Sequence, residues 1–73
     1  MTPQEELQFW REMARAADPG ISLFSLADAK YHRVIDDALW SVSERAHLDD
    51  PEYPVPFIAR QITRLEREIG SEQ

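Results

Sequence analysis

LADAKYHRVIDDALWSVSERAHL, residues 26–48, decides the fold. At roughly 100° per residue, Ala27, Tyr31, Val34, Ile35, Ala38, Leu39, Val42 and Ala46 share one face, the pattern of a long amphipathic helix. Trp40 falls nearly opposite, among Arg33, Asp36, Asp37, Ser43, Glu44 and His47. A large aromatic on the polar side of a helix is either covered by another part of the chain or offered to a partner. Charged neighbours oppose deep burial, because they must reach water or be paired.

Flanking signals supply two more helices. Upstream, Thr2 suits an N-cap, Pro3 the first helical position, and Glu5 stands three residues after Thr2, as a capping box requires. Leu7, Trp10, Met13, Ala14 and Ala17 then form a broad apolar face, and Asp18-Pro19-Gly20 stops the helix. Ser25, with Asp28 three residues on, can cap the second helix; Ser22 is the alternative and would start it a turn earlier. Downstream, Pro51, Pro54 and Pro56 favour a stiff extended segment. Ile58, Ile62, Leu65 and Ile69 recur at spacings of 4, 3 and 4 as a narrow seam, with Gly70 expected just past the helix end. The expectation is an all-α fold: one domain over residues 1–73, a small antiparallel three-helix bundle with helices at about 3–17, 25–48 and 56–69 and a proline-rich loop before the last.

The chain has 73 residues, of which 42% are hydrophobic, enough for a core and too many for a disordered chain of this charge. It contains no cysteine, so packing or a partner must hold the fold without disulfides. Fourteen acidic and eight basic residues give a formal charge of −6, which disfavours nonspecific binding to nucleic acid or anionic lipid and is compatible with a basic protein partner. No apolar run approaches the ~20 residues of a membrane span, and the acidic start lacks the features of a signal peptide. The expectation is a cytoplasmic protein with no membrane contact.

Candidate chemistry is sparse. Asp28, His32 and Asp36 lie at i, i+4 and i+8 and carry metal-ligating groups, but on one helix they span about 12 Å, so only neighbouring pairs could share an ion. A solvated helix face is the better reading, and no metal or cofactor is expected. His47 suits the C-terminal end of the second helix, where a cation complements the dipole. Arg60, Arg64 and Arg67 form the only basic concentration, with Phe57 at its edge and Arg64–Glu68 at ion-pair spacing. None of Ser22, Ser25, Ser41 and Ser43 sits in a Gly-x-Ser-x-Gly turn, and two glycines make no phosphate loop. Catalysis is not expected.

The opening Met1-Thr2-Pro3-Gln4-Glu5-Glu6-Leu7 is similar to the start of small phage head-completion proteins. Helix-capping chemistry accounts for the likeness, the strand-forming segments of those proteins are missing here, and no fold or function is carried over.

The reading that remains is a small acidic module that binds another protein, as a regulator, inhibitor, adaptor or accessory subunit of the kind bacteria and phages encode. Its contact residues would be Trp40, Arg33, Asp36, Asp37 and Glu44 on one face and Phe57, Arg60 and Arg64 on another. A self-associating homodimer is the first alternative. A helical domain reading nucleic-acid phosphates through Arg60, Arg64 and Arg67 is the second, disfavoured by the total charge.

Overall fold

The computed structural model describes residues 1–40 and 51–71. Helix α1 spans Pro3–Ala16, a single-turn α2 spans Leu23–Leu26, a 3-10 turn covers Ala29–Tyr31, α3 spans His32–Leu39 and α4 spans Val55–Ser71. The fold is all-α, and the described residues contain no strand.

The start of α1 matches its sequence signature. Thr2 Oγ1 accepts from the Glu5 amide at 3.2 Å, and the Glu5 carboxylate accepts from the Thr2 amide at 3.2 Å. That backbone bond, followed by the bond to the Thr2 side chain, holds the Glu5 carboxyl below its ordinary value. At the far end Gly20 takes a φ of +86°, a conformation that carries a steric penalty for any residue with a Cβ.

The expected helix over 25–48 is corrected in its first half; its second half, residues 41–48, lies outside the described residues. Instead of one continuous rod there is a one-turn helix, a break at Ala27–Asp28, a 3-10 turn and then α3. Ala27 and Asp28 are both extended, with ψ of 149° and 151°. Ser22, not Ser25, precedes the first turn, and Ser25 Oγ donates to the Ser22 carbonyl at 2.7 Å. The cause of the break is legible in its hydrogen bonds. Carbonyls released at the end of α2 are taken up by a side chain: His32 Nε2 lies 3.0 Å from the Phe24 oxygen and 3.3 Å from the Ala27 oxygen. Carbonyls only accept, so Nε2 carries the proton. Periodicity could not reveal this, because Leu26, Ala27, Tyr31, Val34 and Ile35 bury the same side on either side of the break.

Helices α1 and α4 supply the main interhelical packing and run antiparallel. The Gly20 amide, beyond the end of α1, donates to the Tyr53 carbonyl at 2.8 Å just before α4, while Glu6 in the first turn of α1 reaches Arg64 on α4. A chain of rings threads the core between them. Tyr31 stacks on Phe9 with centroids 4.7 Å apart; Phe9 meets Trp10 edge-on at 5.0 Å; Trp10 meets Phe57 at 5.9 Å; Phe57 meets Tyr53 at 5.9 Å. Each pair adds about 0.5–1.5 kcal/mol beyond its area burial. Trp10, Phe57 and Ile35 have no exposed surface.

Three further expectations are corrected by this packing. The buried face of α4 is Phe57, Ile58, Gln61 and Leu65, with Ile62 and Ile69 at its margin, because the large Phe57 ring rotates the contact toward Trp10. Gly70 lies inside α4, which starts at Val55 and continues to Ser71, so it is no capping residue. The proline segment is not extended: residues 51–54 form turns that lead directly into α4. It packs at the α1–α4 junction, where Pro54 is buried and Tyr53 lies against Phe57 and Gly20.

Candidate functional site

The break that creates α3 also sets what the segment shows to water. His32, Asp36 and Trp40 follow one another at single-turn intervals, and Phe24 from α2 meets the His32 ring edge-on, with centroids 5.2 Å apart and planes at 88°. The Trp40 indole Nε1 donates to Asp36 Oδ1 at 3.2 Å, and the Trp40 amide closes the last turn on the Asp36 carbonyl at 3.0 Å. Phe24, His32, Asp36 and Trp40 therefore form one ridge with an aromatic side chain at each end. Phe24 is 39% exposed and Trp40 66%, the largest exposure of any large apolar side chain among the described residues.

The ridge is ordered by bonds that leave its apolar surface in water. His32 spends its Nε2–H on the end of α2, fixing the ring against which Phe24 leans. Asp36 fixes the Trp40 indole through the Nε1–H, which otherwise needs a water. A pre-set aromatic loses less freedom on binding than a mobile one. Asp36 stands exposed against the indole, and such a pairing of a carboxylate with a π face suits a guanidinium or ammonium group.

Of the residues expected to bind a partner, Arg33, Asp36 and Asp37 are exposed on α3 and Trp40 is exposed at its C-terminal cap. Glu44 lies outside the described residues, as do His47 and the remainder of that polar face. The second expected surface is corrected. Phe57 is fully buried in the ring chain and does not border the arginines. Arg64 is engaged on three sides: Nη2 with Glu6 at 2.9 Å, Nη1 with Glu68 at 3.2 Å, and both Nε and Nη2 with the Gln61 oxygen at 3.3 and 3.1 Å. The anticipated Arg64–Glu68 pair is present, joined by an interhelical one. Arg60 remains exposed on α4.

The Asp28–His32–Asp36 line is corrected as well, since Asp28 sits at the extended break and not on α3, and His32 Nε2 is committed to carbonyls. Among the described residues no group of three or more histidine or acidic side chains gathers to hold a metal, and no helix is long and apolar enough to cross a membrane. Sequence reasoning missed Phe24, and it weighed His32 only as a metal ligand, not as the donor that caps α2. The signal that could have found them is the i+8 separation of an aromatic and a histidine across a possible helix break, a pattern that is invisible while the segment is read as one helix. Comparison of the chain with protein-family models, with curated proteins and with solved structures gave no match.

Proposed function

We propose that the protein is a binding module whose α3 ridge docks on a basic surface of another protein, making it a regulator, adaptor or accessory subunit and not an enzyme. The observation that carries this reading is the state of Trp40: two-thirds exposed, with its indole held by Asp36. Tryptophan and arginine dominate interface hot spots, and a Trp–Asp face complements an arginine-bearing partner. The net charge of −6 favours encounter with such a surface. A second copy of this chain is the alternative occupant, since a small helical domain gains stability by pairing apolar side chains across a two-fold axis.

Affinity capture from the native host with wild type and Trp40→Ala side by side tests this. The expected result is a protein retained by the wild type and lost by the variant, with helical circular dichroism unchanged. Truncating a central anchor costs about 2 kcal/mol or more, a roughly thirtyfold loss of affinity. Retention of the same proteins at the same yield by both would overturn the reading. Sedimentation at micromolar concentration separates the alternative: a dimer that Trp40→Ala dissociates assigns the ridge to self-association.

A further inference from the structure

Away from the ridge, a cleft of about 610 Å³ opens where α3 faces α4 and the start of α1. Its wall brings together Lys30, Arg33, Arg64, Glu6, Asp37 and Gln61. The Arg64 guanidinium is occupied by Glu6, Glu68 and Gln61. Among the described residues neither Lys30 nor Arg33 has a carboxylate partner; the Lys30 ammonium stands 5.1 Å from the centre of the Tyr31 ring.

Gln61 is the unusual member. It is 1% exposed, on a helix face that is otherwise apolar. Two Arg64 N–H groups donate to one end of its amide, so that end is the oxygen and the other is the nitrogen. Gln61 Nε2 has no acceptor. A buried donor left unmade is expensive, and native structures fill such positions with a water, an ion or a ligand. The fold has already removed this N–H from water. An acceptor from the cleft reaches it once the side chains over Gln61 move aside, and then gains a hydrogen bond whose desolvation cost on the protein side the fold has already met.

We propose that this cleft binds a carboxylate carried on an apolar stem. Arg64 is spent on Glu6 and Glu68, so the unpaired charges of the wall are Lys30, Arg33 and Asp37, an excess of one positive charge that matches a monoanion. The planar Arg33 fork can hold a carboxylate through two parallel N–H bonds, with Lys30 adding charge and Gln61 Nε2 the third donor. Val34 and Ala38 give the stem apolar surface. The proposal does not depend on Trp40, and its probes are small molecules, so it stands or fails separately from the protein-binding reading.

The test is a nuclear magnetic resonance titration of the whole chain at constant ionic strength, following the Gln61 side-chain amide and the Arg33 Nε–H. The probes are N-acetyl-leucine, 4-methylpentanoate, the uncharged N-acetyl-leucinamide and inorganic phosphate. The expected result is saturable shifts of both reporters with the two acids and none with the amide. Arg33→Gln, an exposed substitution that spares the core, should weaken the acids about tenfold or more. The tighter of the two acids identifies the source, a peptide C-terminus or a free small acid. Linear shifts, equal shifts from the amide, tighter binding of phosphate, or indifference to Arg33→Gln would each overturn the proposal.

Discussion

Trp10, in the middle of α1, is sealed between Phe9 and Phe57, whereas Trp40, at the end of α3, keeps 66% of its surface in water although it too lies on an amphipathic segment. The α1–α4 region invests its aromatic area in the fold. The α3 ridge holds its aromatic area outside and fixes it with polar bonds from Asp36 and His32. Even the indole N–H groups differ. That of Trp40 is matched by Asp36, and that of Trp10 has no acceptor, so packing alone keeps Trp10 in place. A residue type therefore says little about role until its neighbours are known: apolar rings in one case, a carboxylate in the other.

The contrast can be broken most forcefully at Trp10. Trp10→Ala removes the centre of the ring chain and should cost about 3–5 kcal/mol, most of the stability of a domain this small. Thermal melting followed by circular dichroism should show loss of the cooperative transition near room temperature; a variant that melts like the wild type contradicts the assignment of Trp10 to the core.

A smaller effect is expected within the ridge. His32→Ala strips two carbonyls of their donor and should destabilise the domain by about 1–2 kcal/mol, with faster amide exchange in α2. His32→Gln, which can place an amide N–H near the position of Nε2, should recover part of that loss. Equal behaviour of the two variants would mean that the ring's contact with Phe24, not the donor, stabilises the break.

The pH dependence of the core side is smaller again. Burial holds the Tyr53 phenol above its ordinary value, so folding favours the neutral form. That contribution is complete below about pH 10 and is lost as the pH rises through the folded value. Alkaline unfolding of the wild type should therefore contain a component that Tyr53→Phe lacks; identical curves would place the phenol in water.

How far the sequence reached follows from what each signal depends on. The capping box at Thr2–Glu5 is local chemistry, and it formed as read. The turn at Gly20 is local as well. The helical class and the polar setting of Trp40 followed from periodicity, which is also local. The break at Ala27–Asp28 was hidden, because it rests on a bond from His32 back across five residues and because the buried side is continuous across it. The rotation of α4 was hidden for a different reason: Phe57 turns inward only once Trp10 is present, a contact 47 positions away in the chain. Gln61 reads as a surface residue until that rotation brings it into the core. Of the candidate site, Trp40 and its acidic neighbours were legible, whereas Phe24, His32 and the cleft needed the fold.

The claim that most needs testing is that Trp40 is a surface side chain held ready for a partner and contributes little to folding. Urea unfolding of Trp40→Ala beside the wild type is the direct measurement. The account predicts a stability change within about 0.5 kcal/mol and an unchanged denaturant slope. A loss of several kcal/mol, comparable to that of Trp10→Ala, would make Trp40 part of the core and contradict it.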